Sequence, residues 1–183
     1  MRTAHTSGTV VLLALLIAAH AAAQSPATRP PTMPPPPALD VTAADVKAFI
    51  DALPKDRVSD LPIRVSDVGG SKVGVYGVFR PKTMPGEANV HDTTVTEIYY
   101  ILEGTGTLVT GGTLTNPHSA GASPNTGRQN MRGSGISGGI VRKVGPGDTI
   151  VIPGRLPHWF SSLDTDIKYM IYRPDPEGLQ RLK

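Results

Sequence analysis

Three side chains that can bind a metal occupy two separate stretches of this sequence. His91 and Glu97 stand on either side of a short polar run, and His158 follows much later, directly after a proline. Two imidazoles and one carboxylate can hold a divalent transition metal and leave coordination positions open for water, dioxygen or a chelating substrate. In iron(II) oxygenases a facial set of this kind supports oxidation. The pattern therefore predicts a metal site built from His91, Glu97 and His158.

The residues that follow Glu97 have the alternation of a β-strand. If Glu97 faces inward, Tyr99 and Ile101 face inward too, because successive side chains of a strand point to opposite faces. The outward residues of the same strand are also apolar, namely Ile98, Tyr100 and Leu102. An outward face of this kind needs cover, either from an early helix or from a second subunit. We therefore expect a homodimer.

Short strands joined by turns are expected in much of the remaining chain. The sequence contains 20 glycines and 18 prolines, which favours a turn-rich β protein over a helical bundle. Residues 61–68 and 72–80 flank a Gly-Gly-Ser turn and predict a hairpin. Residues 148–152 form a further strand, and the turn at 153–157 then leads to His158, which opens another.

One helix is expected ahead of these strands. The run from Thr42 to Asp45 has the residues of a helix start. Apolar residues then recur at the spacing of one helical face, at Val46, Phe49, Ile50 and Leu53. This helix should pack against the outside of the strands.

Residues 110–139 are rich in Gly, Ser, Asn and Thr. A loop of this length inside a compact domain is typical of a lid, a binding loop or a disordered segment. We expect His118, which lies within it, to be a solvated loop histidine rather than a fourth ligand.

The two metal-capable stretches resemble the two motifs of the cupin superfamily. The first motif has a glycine, a His-x-His pair, a glutamate and a second glycine, and the corresponding residues are Gly86, His91, Thr93, Glu97 and Gly104. Thr93 stands at the second histidine, and Gly86 is one residue too close to His91. The second motif is matched by Gly147, Pro153 and His158, with Arg155 in place of a glycine and Ser162 in place of an asparagine. The likeness covers roughly residues 63–173.

This resemblance implies an all-β fold, the cupin-type double-stranded β-helix or jelly-roll barrel, here with one short N-terminal helix. The cupin domain would span residues 39–183, with the metal between its sheets and segment 110–139 near the mouth of the barrel. The bound ion would be a divalent transition metal such as Fe, Mn, Zn or Ni.

The missing second histidine leaves several ligand sets open. Thr93 could hold a metal-bound water, or Asp92 could supply an oxygen if the strand shifts by one residue. His91 could also represent the second histidine of the motif, with Asn89 in the first position. In a further alternative the barrel binds no metal, and His91 and His158 are hydrogen-bonded to Glu97 or to tyrosines.

Two classes of function fit these residues. The first is a small-molecule enzyme of the oxygenase, isomerase or lyase type, in which the metal polarises a substrate oxygen. The candidate substrate-binding residues are Tyr76, Thr93, Tyr99, Tyr172 and Arg173. The second is a metal-free periplasmic protein that binds a small ligand without transforming it. A metal with an exchangeable water would favour the first, and a metal-free pocket closed by segment 110–139 would favour the second.

Composition excludes several other classes. The chain has no cysteine, so disulfides, thiolate ligands and a cysteine nucleophile are all excluded. The formal net charge is +3, and the basic residues are scattered rather than interleaved with aromatic residues. Nucleic-acid binding is therefore not expected.

The first residues have the pattern of an export signal. Arg2 precedes an apolar run at 10–19, and Ala21–Ala23 supply small residues for cleavage before Gln24. The run is shorter than the roughly 20 apolar residues that a membrane-spanning helix needs. We therefore expect a signal peptide at 1–23, an extended proline-rich linker at 24–38, and a periplasmic or secreted protein that is free of the membrane after cleavage.

This pattern predicts that the exported protein begins at Gln24. Intact-mass measurement of the protein recovered outside the cytoplasm should therefore lack residues 1–23. Recovery of the uncleaved chain from a membrane fraction would contradict the prediction.

Overall fold

The computed structural model describes residues 38–183, in which antiparallel strands predominate. The predicted signal peptide and the linker up to residue 37 lie outside the described residues. The helix α1 spans Ala43–Ala52. The strands are β1 (Ser59–Asp67), β2 (Lys72–Arg80), β3 (Ala88–His91), β4 (Glu97–Glu103), β5 (Gly106–Thr110), β6 (Thr113–Thr115), β7 (His118–Ala122), β8 (Gln129–Gly133), β9 (Gly135–Ser137), β10 (Ile140–Val144), β11 (Thr149–Ile152), β12 (His158–Leu163) and β13 (Ile167–Asp175).

Helix α1 begins at the predicted residues because its first turn is capped. The hydroxyl of Thr42 accepts a hydrogen bond from the backbone N–H of Asp45, and the Asp45 carboxylate accepts one from the backbone N–H of Thr42. Such a capping box satisfies two donors that would otherwise lack partners. The buried face of the helix packs on Phe79 of β2 and Met170 of β13. Within residues 38–183 no helix is long and apolar enough to cross a membrane.

Two antiparallel sheets form the barrel. One has the strand order β1-β2-β13-β4-β11, and the other has the order β10-β5-β12-β3-β8-β7. Neighbours in each sheet are often distant in sequence, as expected for a jelly roll. The main core lies between the sheets and takes side chains from both, among them Tyr76, Val78, Ile101, Leu108, Phe160 and Ile171. The predicted all-β fold with one short helix is confirmed.

Strand β4 has the predicted alternation. Glu97, Tyr99 and Ile101 are buried, while the side chains between them are partly or fully exposed. On the outer face, α1 covers part of the sheet, because Leu102 packs against the helix cluster. Tyr100 is left 39% exposed.

The prediction of a long loop at 110–139 is wrong for most of that segment. Strands β6 to β9 occupy it, and β8 pairs with β3 so that Asn130 lies opposite His91. Alternation of apolar and polar residues did not predict these strands. Strand β7, for example, is exposed along its whole length, so no buried face gives its sequence a period of two. Backbone pairing with neighbouring strands, rather than burial, defines these elements.

The apolar outer face still predicts a dimer. Val151 of β11 lies on this face opposite Ile98 and is 60% exposed. If a second copy covers it, Val151→Asp should convert a dimer into a monomer in light scattering, because a buried charge without a partner is costly. Val141→Asp provides a matched control, since Val141 is 64% exposed on an edge strand of the other sheet. A wild-type monomer would contradict the prediction.

Candidate metal centre

The three predicted ligands meet inside the barrel. His91 ends β3, Glu97 begins β4 and His158 begins β12, so each side chain lies where a strand meets a turn. One ligand atom from each of the three lies within 4.8 Å of the others. His91 Nε2 is 3.8 Å from Glu97 Oε1, and His158 Nε2 is 3.5 Å from Glu97 Oε2. Glu97 and His158 are buried, whereas His91 is half-buried.

Close contact between two turns brings these strand ends together. The turn after His91 carries Asp92, whose Oδ1 accepts a hydrogen bond of 3.1 Å from Arg155 Nε in the turn before His158. A Cβ on Gly154 would lie 2.2 Å from the carbonyl oxygen of Thr93, so only glycine permits this approach. Arg155 itself has a φ of +62°, a backbone conformation that favours glycine, and it stands where the cupin motif has one.

Hydrogen bonds fix the orientation of both imidazoles. His91 Nδ1 lies 2.9 Å from Asn130 Oδ1, and His158 Nδ1 lies 3.0 Å from the carbonyl oxygen of Leu156. Both oxygens are acceptors, so each Nδ1 carries the proton and donates. In the neutral form of each imidazole the lone pair is then on Nε2, on the side of Glu97, which is the tautomer that a metal ligand requires. Burial lowers the pKa of His158 and, together with His91, outweighs the attraction of Glu97, so this imidazole is neutral at pH 7.

A buried ion pair holds Glu97. Arg173 of β13 donates from Nε to Glu97 Oε1 at 2.9 Å, and its Nη2 forms an ion pair with the same oxygen at 2.7 Å. The Tyr99 hydroxyl donates to Glu97 Oε2 at 3.0 Å. Arg173 also donates to both carboxylate oxygens of Asp60. Burial alone would raise the pKa of Glu97, but Arg173, followed by the two histidines and Tyr99, holds it well below its usual range. The carboxylate is therefore ionised.

These donors fit a cation. Two ligand atoms that each lie about 2.0–2.2 Å from one ion are roughly 3–3.5 Å apart. The two shortest His–Glu separations are 3.5 and 3.8 Å, and the three ligand atoms lie within 4.8 Å of one another, so the side chains must move closer together to hold one ion. Without a cation, two imidazole lone pairs face a carboxylate, an arrangement that no hydrogen bond between these atoms offsets. The donor set of two nitrogens and one oxygen is typical of Fe, Mn, Zn or Ni.

The proposed replacements for the missing histidine lie around the site without adding a ligand. Thr93 is buried and lines the cavity, but its Oγ1 accepts a hydrogen bond from the backbone N–H of Val95 at 3.0 Å. Asp92 is exposed and held by Arg155. Asn89 lies opposite His158 in the sheet, yet its amide donates to the carbonyl oxygen of Glu87. His118 is exposed on β7, 3.3 Å from a carboxylate oxygen of Glu87.

The candidate substrate-binding residues separate into two groups. Tyr76, Tyr99, Thr93 and Arg173 line a cavity of about 800 Å³ that also contains the three candidate ligands. Arg173 is engaged with two carboxylates, and Tyr76 donates to Gln180 beneath the Arg173 guanidinium. Tyr172 does not join them, because it alternates with the inward Ile171 and Arg173 and so lies on the outer face of the sheet.

Several residues of the site gave no usable signal in the sequence. Asn130 lies in the segment interpreted as a loop, and Gln180 lies beyond the last predicted strand. Asp60 reaches Arg173 only because β1 and β13 both pair with β2. Sequence periodicity identifies which face a residue occupies, but these contacts depend on register between distant strands.

No family model and no curated protein matches this chain. Among solved structures, a protein of Bacillus halodurans is 13% identical, with 76% of this chain and 83% of that chain covered and a TM-score of 0.47. The DMSP lyase DddQ of Ruegeria pomeroyi is 16% identical, with 80% and 79% covered and a TM-score of 0.41. An oxalate oxidase is 19% identical, with 69% and 55% covered and a TM-score of 0.37. The assignment of the site therefore depends on this chain's own residues.

The ion pair with Glu97 predicts a large effect of Arg173 on stability. Arg173→Met should lower the free energy of unfolding by roughly 3–5 kcal/mol, because it leaves two carboxylates without their cation. Urea unfolding of the metal-free protein measures the change. Lys143→Met is the control, since the Lys143–Asp164 pair is exposed and its loss should cost far less. Equal losses in the two variants would contradict the prediction.

Proposed function

We propose that this chain is an exported cupin-type protein that binds a divalent transition metal through His91, Glu97 and His158 and acts on a small molecule. The observation that supports the proposal best is the orientation of the imidazoles. Each donates its Nδ1 proton to an oxygen and points an Nε2 lone pair at the same buried carboxylate. A metal-ligating histidine typically donates its other ring N–H to a nearby oxygen in this way.

A bound ion of this kind supplies Lewis-acid chemistry, which polarises a substrate oxygen. The chain's own residues prepare the site for that role. Arg173 and Tyr99 fix the Glu97 carboxylate, so it does not reorganise when a ligand enters. Asn130 and the carbonyl of Leu156 fix the two imidazoles. The cavity around them has room for a small molecule, which is consistent with a reaction of the oxygenase, isomerase or lyase type.

A metal-free ligand-binding protein is the second candidate, and one observation favours it. Arg173 already provides a positive charge at 2.7 Å from Glu97, so the ionised carboxylate is compensated without an ion. In that case the same cavity would hold a small ligand in the periplasm without transforming it.

Elemental analysis of the purified protein distinguishes these candidates, and His158→Ala tests the ligand set. The variant should lose most of its affinity for the metal, because only one imidazole remains. Asn130→Ala should weaken binding by roughly 10–100-fold, since it removes the partner that orients His91. Titration with Zn²⁺ and a competing chelator measures both effects.

His118→Ala provides the matched control. This histidine is exposed on β7 and pairs with Glu87, so its loss should leave metal affinity unchanged. If metal content survives the His158 substitution, the proposed ligand set is wrong. If wild-type protein binds neither Zn²⁺, Mn²⁺, Fe²⁺ nor Ni²⁺, the metal-free binding protein becomes the better account.

A further inference from the structure

Arg80 is a cavity residue that the metal site does not use. It is the last residue of β2, and its Nη1 donates to the carbonyl oxygen of Pro85, while its Nη2 donates to the hydroxyl oxygen of Tyr169 at 3.2 Å. Its Nε is buried and has no hydrogen-bond partner among residues 38–183, whereas the residue as a whole is half-buried. The guanidinium also lies over the ring of Phe160, 5.3 Å from the ring centroid.

Arg80 differs from the other arginines around this cavity in having no carboxylate. Arg173 pairs with Asp60 and Glu97, and Arg132 lies 3.6 Å from a carboxylate oxygen of Glu87. Exposed Arg57, at the edge of the cavity, pairs with Asp56. Within residues 38–183, no carboxylate oxygen lies within 4.0 Å of the Arg80 guanidinium. The carboxylate of Asp60 is already bound by Arg173.

A guanidinium without a counter-ion is unusual in such a position. It remains charged at any physiological pH, and a desolvated charge is costly unless an opposite charge or several acceptors compensate for it. Among the residues that the structure describes, two neutral oxygens, from Pro85 and Tyr169, accept hydrogen bonds from Arg80. The position therefore favours the binding of an anion.

Tyr169 supplies a second donor at the same place. Its hydroxyl oxygen accepts from Arg80, and among the described residues its proton has no acceptor. Burial raises the pKa of Tyr169, so the hydroxyl stays protonated at neutral pH. One oxygen of a ligand can thus bind Arg80 while the neighbouring oxygen accepts from Tyr169, a geometry that suits the two oxygens of a carboxylate.

The Arg80–Tyr169 pair lies beside the candidate metal centre. The rings of Tyr169 and Tyr99 are 4.9 Å apart between centroids, and Tyr99 donates to Glu97. Arg80, Tyr169 and all three candidate ligands line the same cavity. The Tyr99 ring also lies 6.3 Å from the His158 ring between centroids, so Tyr99 lines the cavity between Tyr169 and the candidate ligands.

We propose that the cavity binds a small monocarboxylate, with its carboxylate on Arg80 and Tyr169 and the remainder of the molecule directed toward His91, Glu97 and His158. The assignment of this molecule as a substrate rests on the metal-dependent function proposed above. The binding of the carboxylate does not, because Arg80 and Tyr169 hold it without a metal. Among the described arginines that line this cavity, Arg80 alone has no carboxylate partner. A monoanion matches that one guanidinium, whereas a phosphate dianion would need a second cation.

Calorimetric titration of the full chain with propionate and benzoate, and with their amides, tests this inference. The carboxylates should bind and the amides should bind at least about tenfold more weakly, because they have no charge to pair with Arg80. Arg80→Gln should remove that preference, and Tyr169→Phe should weaken carboxylate binding several-fold. Arg132→Gln is the control, since that arginine is exposed and has Glu87 beside it.

Each titration is made with chelator-treated protein and again with Zn²⁺-loaded protein. This separates the proposed carboxylate site from the proposed metal-dependent function. A preference for carboxylates that survives chelation and is lost in Arg80→Gln supports the anion site, even if the metal proposal fails. Equal binding of acids and amides by the wild type overturns the inference, even if the metal proposal holds. If Arg80→Gln does not fold, the test of the anion site uses the wild-type comparison of acids with amides and the Tyr169→Phe variant. Unchanged carboxylate affinity in Tyr169→Phe would count against the anion site.

Discussion

The structure of the site depends on keeping a carboxylate ionised inside the barrel. Glu97 is buried between two sheets, where an uncompensated charge is prohibitively costly. Arg173 provides the compensation, and Asp60 in turn pairs with the second side of Arg173. These three residues come from β4, β13 and β1, so one charge network joins three strands of the five-stranded sheet. The two histidines can form a ligand set with Glu97 only because this network holds the carboxylate between them.

The same network sets the electrostatic balance at the centre. Glu97 and Asp60 carry two negative charges and Arg173 carries one positive charge, so these three groups sum to one negative charge. A divalent ion would reverse that sign and make the cavity attract anions. The positive charge of Arg80, which lines the same cavity, also attracts anions. Both features favour an anionic molecule over a cationic one.

Much of this arrangement could be predicted from the sequence, because local patterns determine it. The alternation in β4 fixed which side of the strand Glu97 occupies, and Thr42 and Asp45 marked the start of α1. The two motifs also predicted that His91 and His158, from separate strands, come together with Glu97. The contacts of Asn130, Asp60 and Arg80 could not be found in this way. They depend on which distant strands are neighbours and in what register, and β7 and β8 have too little buried surface to show a period.

The position of β13 in its sheet determines whether metal binding would precede or follow the folding of the barrel. This strand lies in the middle of the five-stranded sheet, and it contributes both Arg173 and Tyr169. The Arg173 contacts span 76 residues to Glu97 and 113 residues to Asp60. Such long-range contacts form late and slowly during folding. Metal capture would therefore follow the completed barrel rather than nucleate it, and an emerging or partly folded chain would offer only isolated histidines with weak affinity for any ion.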